Sequence, residues 1–219
     1  SLFMDGKPYV EGVKAILNIA KQFDDLEFVD LGGGFGIPYE KLNDQPRLDM
    51  VELGKQLDEV FEQFVKDYGK EITFKIEPGR YVSAECGVLL GTVTAVKHNG
   101  EDKYIGTDIG FNVLQRPVMY DSHHDIEVYN DSDNTEDVTV VGNICESGDI
   151  LAKHRICPEM HVGDTMAMLD AGAYGYCMAS NYNNRLRPAE VLIRENGEAV
   201  LVRERDELED LTRHMKSIK

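Results

Sequence analysis

Apolar positions in the first third of the chain follow two alternating rhythms. Val10, Val13, Leu17 and Ala20 recur at helical spacing, with Ile16 beside them, and predict an amphipathic helix. Phe28-Val29-Asp30-Leu31 then reads as a short strand, closed by three glycines. Leu53, Leu57, Val60, Phe61, Phe64, Val65 and Tyr68 trace the clearest amphipathic helix of the sequence. After Gly69, Ile72-Thr73-Phe74-Lys75-Ile76 reads as a second strand, stopped by Pro78-Gly79. Helix, strand, helix, strand is the order of a parallel α/β layer.

The rhythm changes after Arg80. From Val88 to about Val141 the apolar runs are short and β-branched, separated by turn signals such as Asn99-Gly100. Further strands are predicted around Thr139-Val140-Val141 and Met166-Ala167-Met168-Leu169. Val191-Leu192-Ile193 and Ala199-Val200-Leu201-Val202 flank Asn196-Gly197 as a hairpin, and Asp206 to Met215 reads as helix. The pattern predicts an α/β piece over 1–80 joined to an antiparallel β domain over 81–219.

Composition narrows the partners. The chain has 219 residues, 42% hydrophobic and 29% charged, and a chain of this size buries roughly 70% of its unfolded surface. Lys+Arg number 23 against 40 Asp+Glu, a net charge of −17. That balance argues against nucleic acid or an anionic membrane as the main partner. It leaves room for a small anionic ligand held by a few placed arginines. A complete (β/α)₈ barrel takes about 250 residues, so this length does not hold such a barrel and a second domain.

Cys86, Cys145, Cys157 and Cys177 form no C-x-x-C pair, so reduced thiols in a cytoplasmic protein are expected. Ser1-Leu2-Phe3-Met4-Asp5 has no basic region of a signal peptide, and the apolar stretches are too short to span a membrane. An opening that is neither Met nor a tag implies a chain cut from something longer.

Several segments carry groups able to do chemistry. Gly32-Gly33-Gly34-Phe35-Gly36 follows a strand, where backbone N–H groups approach a phosphate closely. The spacing fits neither a Rossmann nor a Walker A loop, and a tight turn with positive φ explains it equally. Glu77-Pro78-Gly79-Arg80 predicts a type II turn with φ > 0 at Gly79. Such a turn holds a carboxylate and a guanidinium at the strand's C-terminal tip, where parallel layers bind ligands. A surface ion pair of little worth is the other reading.

Cys145-Glu146-Ser147-Gly148-Asp149 sets a thiol beside two acids, as a proton donor would need, or holds a small buried residue. Ala171-Gly172-Ala173-Tyr174-Gly175-Tyr176 and Asn181-Tyr182-Asn183-Asn184-Arg185 form an aromatic and amide cluster, fit for a ligand or for packing. Arg116 and Tyr120, in Arg-Pro-x-x-Tyr, are open in the same way. His123-His124 invites a metal, but adjacent residues do not converge on one ion without further ligands, and no metal is expected.

In this order the segments resemble the fold-type III, alanine-racemase-like pyridoxal-phosphate decarboxylases. The resemblance runs from Asp30-Leu31-Gly32-Gly33-Gly34-Phe35-Gly36 to Asn181-Tyr182-Asn183-Asn184-Arg185-Leu186-Arg187-Pro188-Ala189-Glu190-Val191-Leu192. It implies a pyridoxal 5'-phosphate-binding (β/α)₈ barrel followed by an antiparallel β-barrel or Greek-key domain, acting as a head-to-tail homodimer with shared active sites. By resemblance, the glycine loop, chiefly Gly34, holds the cofactor phosphate with Arg80 nearby, Gly33 and Gly79 also lie at the cofactor, and Glu77 faces the pyridine nitrogen.

Cys145 looks like the catalytic acid that reprotonates the α-carbon, reaching the partner subunit's site. Glu146 looks like the group that meets a distal substrate ammonium. Arg80, Arg116 and Tyr120 look like the holders of a distal carboxylate, and Tyr174 like a residue lining both substrate and cofactor. The Cys-Glu order, where ornithine-type members are expected to show Cys-Asp, favours decarboxylation of meso-diaminopimelate to L-lysine.

The family's cofactor-bearing lysine and its ring-stacking histidine find no counterpart here. The chain is expected to begin near the sixth barrel helix and to keep about the last two barrel strands over 1–80. The remainder, 81–219, is expected to be the β domain, with a returning helix near 173–181 and a C-terminal helix. The parent protein would then be the enzyme, and this chain alone would lack activity. The alternatives are a non-catalytic binding or dimerisation module, or a sibling decarboxylase of basic amino acids or polyamine precursors.

Overall fold

The computed structural model describes residues 2–216. It divides into two compact units between Cys86 and Gly87. The first unit therefore runs past Arg80, through α3 (Gly79–Ser83) and a 3-10 turn at Ala84–Cys86.

In the first unit, α1 (Gly6–Ala20) buries Tyr9, Val10, Val13, Leu17 and Ala20, the stripe that the spacing predicts. Strand β1 is Phe28–Asp30, α2 is Met50–Tyr68 and β2 is Thr73–Lys75. β1 and β2 pair in parallel, with Val29 opposite Phe74, so β1-α2-β2 is one crossover unit. Helix α2 starts where the Asp49 carboxylate accepts the N–H groups of Val51 and Glu52, and stops at Gly69 in the left-handed region (φ 76°). Its apolar face covers the strands: Phe61 stacks on Phe74 with centroids 4.0 Å apart, and Phe64 meets the same ring edge-on at 5.9 Å. Phe64, the fully buried ring of the three, contributes about 1.5–3 kcal/mol.

The second unit is built on one six-stranded sheet. Its strands are β3 (Leu89–Asn99), β4 (Asp102–Thr107), β5 (Ile126–Tyr129), β6 (Thr135–Val141), β7 (Ile150–Pro158) and β8 (Thr165–Met168). The spatial order is β5-β8-β3-β4-β6-β7. The two outer strands, β5 and β7, also approach each other, so the sheet is nearly barrel-shaped. Ile105, Leu114, Val140, Met166 and Met168 fill its core and have no measurable exposure.

The sheet is mixed, which corrects the expected antiparallel domain: β4 and β6 run parallel, with Ile105 opposite Val140. The chain between them takes a detour through α4 (Arg116–Tyr120) and β5, long enough for a parallel crossover. A separate hairpin joins β9 (Glu190–Ile193) to β10 (Ala199–Arg203), and α5 (Leu208–Thr212) follows with a capping box between Glu207 and Asp210.

Two local expectations also change. Gly79 does not take positive φ, and Pro78-Gly79 opens α3 rather than forming a type II turn. Proline's fixed φ suits a helix start as well as a turn, and here Pro78 stands at the N-cap. No helix occupies 173–181, only a 3-10 turn at Tyr176–Met178. Gly172, Gly175 and a left-handed Tyr174 (φ 57°) break any helical run there.

One charged cluster anchors the end of the first unit. Arg47 grips Glu85 bidentately at 2.6 and 2.7 Å, and Lys41 adds a contact at 2.9 Å. The Arg47 guanidinium, helped by Lys41, holds the Glu85 carboxyl down to about 2. A depressed carboxyl stabilises the fold above its ordinary value of 4.5 and loses that contribution as pH falls through about 2. An Arg47→Met protein is therefore expected to be less stable than wild type above pH 4.5, with the difference fading toward pH 2. Urea unfolding across that pH range checks it.

Candidate functional site

In the first unit the parallel ladder places the glycine loop against Glu77. Leu31 N–H donates to the Lys75 carbonyl at 2.9 Å, and Glu77 N–H donates to the Gly32 carbonyl at 2.8 Å. A Cβ on Gly33 would fall 2.2 Å from the Glu77 carbonyl oxygen, so only glycine allows the two C-terminal strand ends to meet. Gly32 (φ 69°) and Gly34 (φ 99°) turn the chain through the left-handed region, and the Asp30 carboxylate accepts the Gly32 N–H at 2.9 Å.

Gly33, Gly34, Glu77, Gly79 and Arg80 are thus gathered at one end of one strand pair. Glu77 and Gly79 are exposed and Arg80 is half-buried. Arg80 Nη1 donates to the buried Tyr39 hydroxyl at 3.1 Å, and the guanidinium lies 5.7 Å from that ring. Tyr39 therefore orients Arg80, a role that no spacing in the sequence announces.

In the second unit the loop from Gly142 to Asp149 carries Cys145 and Glu146. Asp149 keeps 4% of its exposure and points into the backbone. It accepts the N–H of Phe111 at 2.7 Å and that of Ile144 at 2.8 Å. Burial pushes its carboxyl up, and the two N–H donors pull against that. Asp149 is thus a loop anchor, not an acid acting on the thiol.

Cys145 is exposed, so the reading of a small buried cysteine falls to Cys157 instead. Burial drives the Cys157 thiol up to about 11. The Glu146 carboxylate accepts Gly148 N–H at 3.2 Å and the Tyr182 hydroxyl at 3.2 Å, and these bonds lower its pKa. The hydrogen bond to Glu146, and then its negative charge, raise that of the Tyr182 phenol in turn.

Tyr182 also packs against Phe111, with centroids 5.0 Å apart. Arg185 donates to the Asn143 carbonyl at 2.5 Å, and Asp206 holds Asn181 at 3.0 Å and Arg187 Nε at 2.8 Å. Cys145, Asn183, Asn184 and Arg185 line a shallow, open recess. Tyr182 precedes Asn183 in the chain and bonds Glu146, and the aromatic and amide cluster is its only signal in the sequence.

Arg116 and Tyr120 stand one turn apart on α4, but only Tyr120 is exposed. Arg116 keeps 4% exposure, with Nη1 2.9 Å from His124 Nε2 and Nη2 donating to Ser122 Oγ at 3.2 Å. His124 is 1% exposed and its Nδ1 lies 2.7 Å from the Leu169 carbonyl. Leu169 leads into the loop of the exposed, left-handed Tyr174. His123 turns to Asp125 at 2.8 Å and to Arg155. The adjacent histidines thus diverge, and among the described residues no group of three His, Cys, Asp or Glu is placed to hold a metal ion. Nor is any helix of those residues long and apolar enough to cross a membrane.

Residues 25–172 match the family of the pyridoxal-dependent decarboxylase C-terminal sheet domain, and the chain belongs to that family. Among its relatives, the diaminopimelate decarboxylase of Methanothermobacter thermautotrophicus is 39% identical over 218 residues, covering 96% of this chain and 50% of that protein. The diaminopimelate decarboxylase of Archaeoglobus fulgidus is 42% identical over 200 residues, covering 88% of this chain and 46% of that protein. A crystal structure of diaminopimelate decarboxylase from M. jannaschii in co-complex with L-lysine superposes with a TM-score of 0.88 at 33% identity, covering 99% of this chain and 50% of that one. The chain thus spans about half the length of the curated relatives it matches.

Asp149 gives the loop its test. Asp149→Ala leaves two N–H donors without their acceptor, at about 1–3 kcal/mol each. The variant is expected to lose about 2–4 kcal/mol of stability by chemical denaturation, whereas Ser147→Ala in the same exposed loop is expected to lose less than about 0.5 kcal/mol.

Proposed function

We propose that this chain is the C-terminal half of a pyridoxal 5'-phosphate-dependent decarboxylase that converts meso-diaminopimelate to L-lysine. The observation that carries the reading is the glycine loop seated on Glu77, beside Arg80. The donor set suits the cofactor. Backbone N–H groups of a left-handed glycine turn and a guanidinium suit a phosphate dianion, and a carboxylate suits a protonated ring nitrogen. Gly33, Gly34, Gly79 and Arg80 would hold the phosphate, Glu77 the pyridine nitrogen, and Tyr174 would line the ring and substrate. When bound, the cofactor supplies an electron sink for the pair left behind as CO₂ departs.

The chain's own residues do the rest. Glu77 keeps a negative charge where a ring proton must stay. Cys145 delivers a proton from Sγ to the α-carbon. That role needs an accessible thiol, and Cys145 is exposed. Glu146, held ionised by Gly148 and Tyr182, pairs with the distal ammonium. Arg116 and Tyr120, with Arg80, receive the distal carboxylate, and bidentate Arg–carboxylate pairing lets a protein of charge −17 bind a dicarboxylate.

In this reading residues 1–80 are the last β/α units of the cofactor-binding barrel, and 81–219 are the sheet domain. The cofactor-bearing lysine comes from an N-terminal segment outside this chain. The assembly is a cytoplasmic homodimer, with Cys145 and Glu146 serving the partner subunit's site.

The full-length protein, supplied with cofactor and meso-diaminopimelate, is expected to release CO₂ and lysine in equal amounts. No lysine, or equal turnover of ornithine, would overturn the substrate assignment. Cys145→Ala is expected to cut turnover by about 10²-fold or more while cofactor absorbance is kept. Unchanged turnover would remove Cys145 from the mechanism.

A further inference from the structure

A buried histidine with two fixed partners is a device whose protonation can be read from geometry. Arginine carries only donors, so His124 Nε2, 2.9 Å from Arg116 Nη1, must be the acceptor and bear no proton. A carbonyl oxygen only accepts, so His124 Nδ1, 2.7 Å from the Leu169 oxygen, must carry the proton. The ring is therefore neutral and in one tautomer. It is 1% exposed, and its two partners lie 8 and 45 residues away along the chain. On one side is the guanidinium of α4, and on the other the end of β8, from which the Tyr174 loop runs.

We propose that His124 is a positioning residue for substrate binding. Its unprotonated Nε2 fixes the plane and the reach of the Arg116 guanidinium, and its Nδ1–H ties that group to the strand end that launches Tyr174. The inference rests on the reading of Arg116 as the distal-carboxylate binder. Ser122 supports it by taking a second guanidinium nitrogen at 3.2 Å. A freely rotating arginine would lose side-chain entropy each time a carboxylate bound. A guanidinium held beforehand has already met that cost in folding, so His124 acts on substrate affinity rather than on the chemical step.

Two amide substitutions separate the two bonds. Asn places its amide near the position of Nδ1, so His124→Asn keeps a donor for Leu169 and gives Arg116 no acceptor. Gln reaches the position of Nε2, so His124→Gln restores an acceptor to Arg116. In the full-length protein with cofactor, H124N is expected to raise KM for meso-diaminopimelate by about tenfold or more. Its kcat is expected to stay within about threefold. H124Q is expected to bring KM back to within about threefold of wild type.

If wild type turns over meso-diaminopimelate and H124N leaves KM unchanged, the positioning role is wrong while the proposed function stands. If H124Q is as impaired as H124N, and both melt at lower temperature, the ring is a packing element and the inference fails. If wild type has no activity on this substrate, the reading of Arg116 fails and takes the inference with it. Independently of any variant's folding, ring-¹⁵N spectra of the wild-type protein are expected to show His124 neutral, with Nδ1 protonated. A charged ring or the Nε2–H tautomer would overturn the proposal.

Discussion

The Glu77 carbonyl occupies the space where any side chain on Gly33 would have to lie, since a Cβ there would come within 2.2 Å of its oxygen. Two parallel strands can end that close together only if one of them ends in glycine. The ladder from Val29–Phe74 to the Glu77–Gly32 bond then runs unbroken to its C-terminal tip. The left-handed turn at Gly32 and Gly34 presents backbone to the surface, and Glu77 and Arg80 stand beside it. Arg80 in turn leans on Tyr39, so the position of its charge is set by a buried hydroxyl.

The second unit solves a similar problem with buried polar groups rather than with glycine. Asp149 anchors the Cys145 loop by two backbone N–H groups, and its burial is offset by those bonds. His124 does for α4 and the end of β8 what Asp149 does for the loop. Both are polar side chains with almost no exposure, and both spend their hydrogen bonds on holding other groups in place. The side chains of Glu146, Tyr120, Tyr174 and Cys145, by contrast, are exposed.

Much of this was legible in the residues. The Val10–Ala20 and Leu53–Tyr68 stripes are long and strongly periodic, and they became α1 and α2. The strands before the glycine loop and before Glu77 were readable because each is bounded by turn residues. The rest depended on contacts that spacing does not encode. Pro78-Gly79 is compatible with a turn or a helix start, and in the structure it opens a helix. The parallel β4–β6 pair required knowing that the intervening chain leaves the sheet and returns. α4 is a five-residue helix, too short to show a period. His124 sat in a histidine pair that invited a metal, and its partners lie 8 and 45 residues away.

In the proposed function, Glu77 is the carboxylate that keeps the cofactor ring protonated. Glu77→Gln in the full-length protein tests it directly, because the side chain is exposed and the substitution keeps its shape. Cofactor is expected to stay bound and kcat on meso-diaminopimelate to fall by about 10²–10³-fold. A variant that binds cofactor and turns over at the wild-type rate would contradict it.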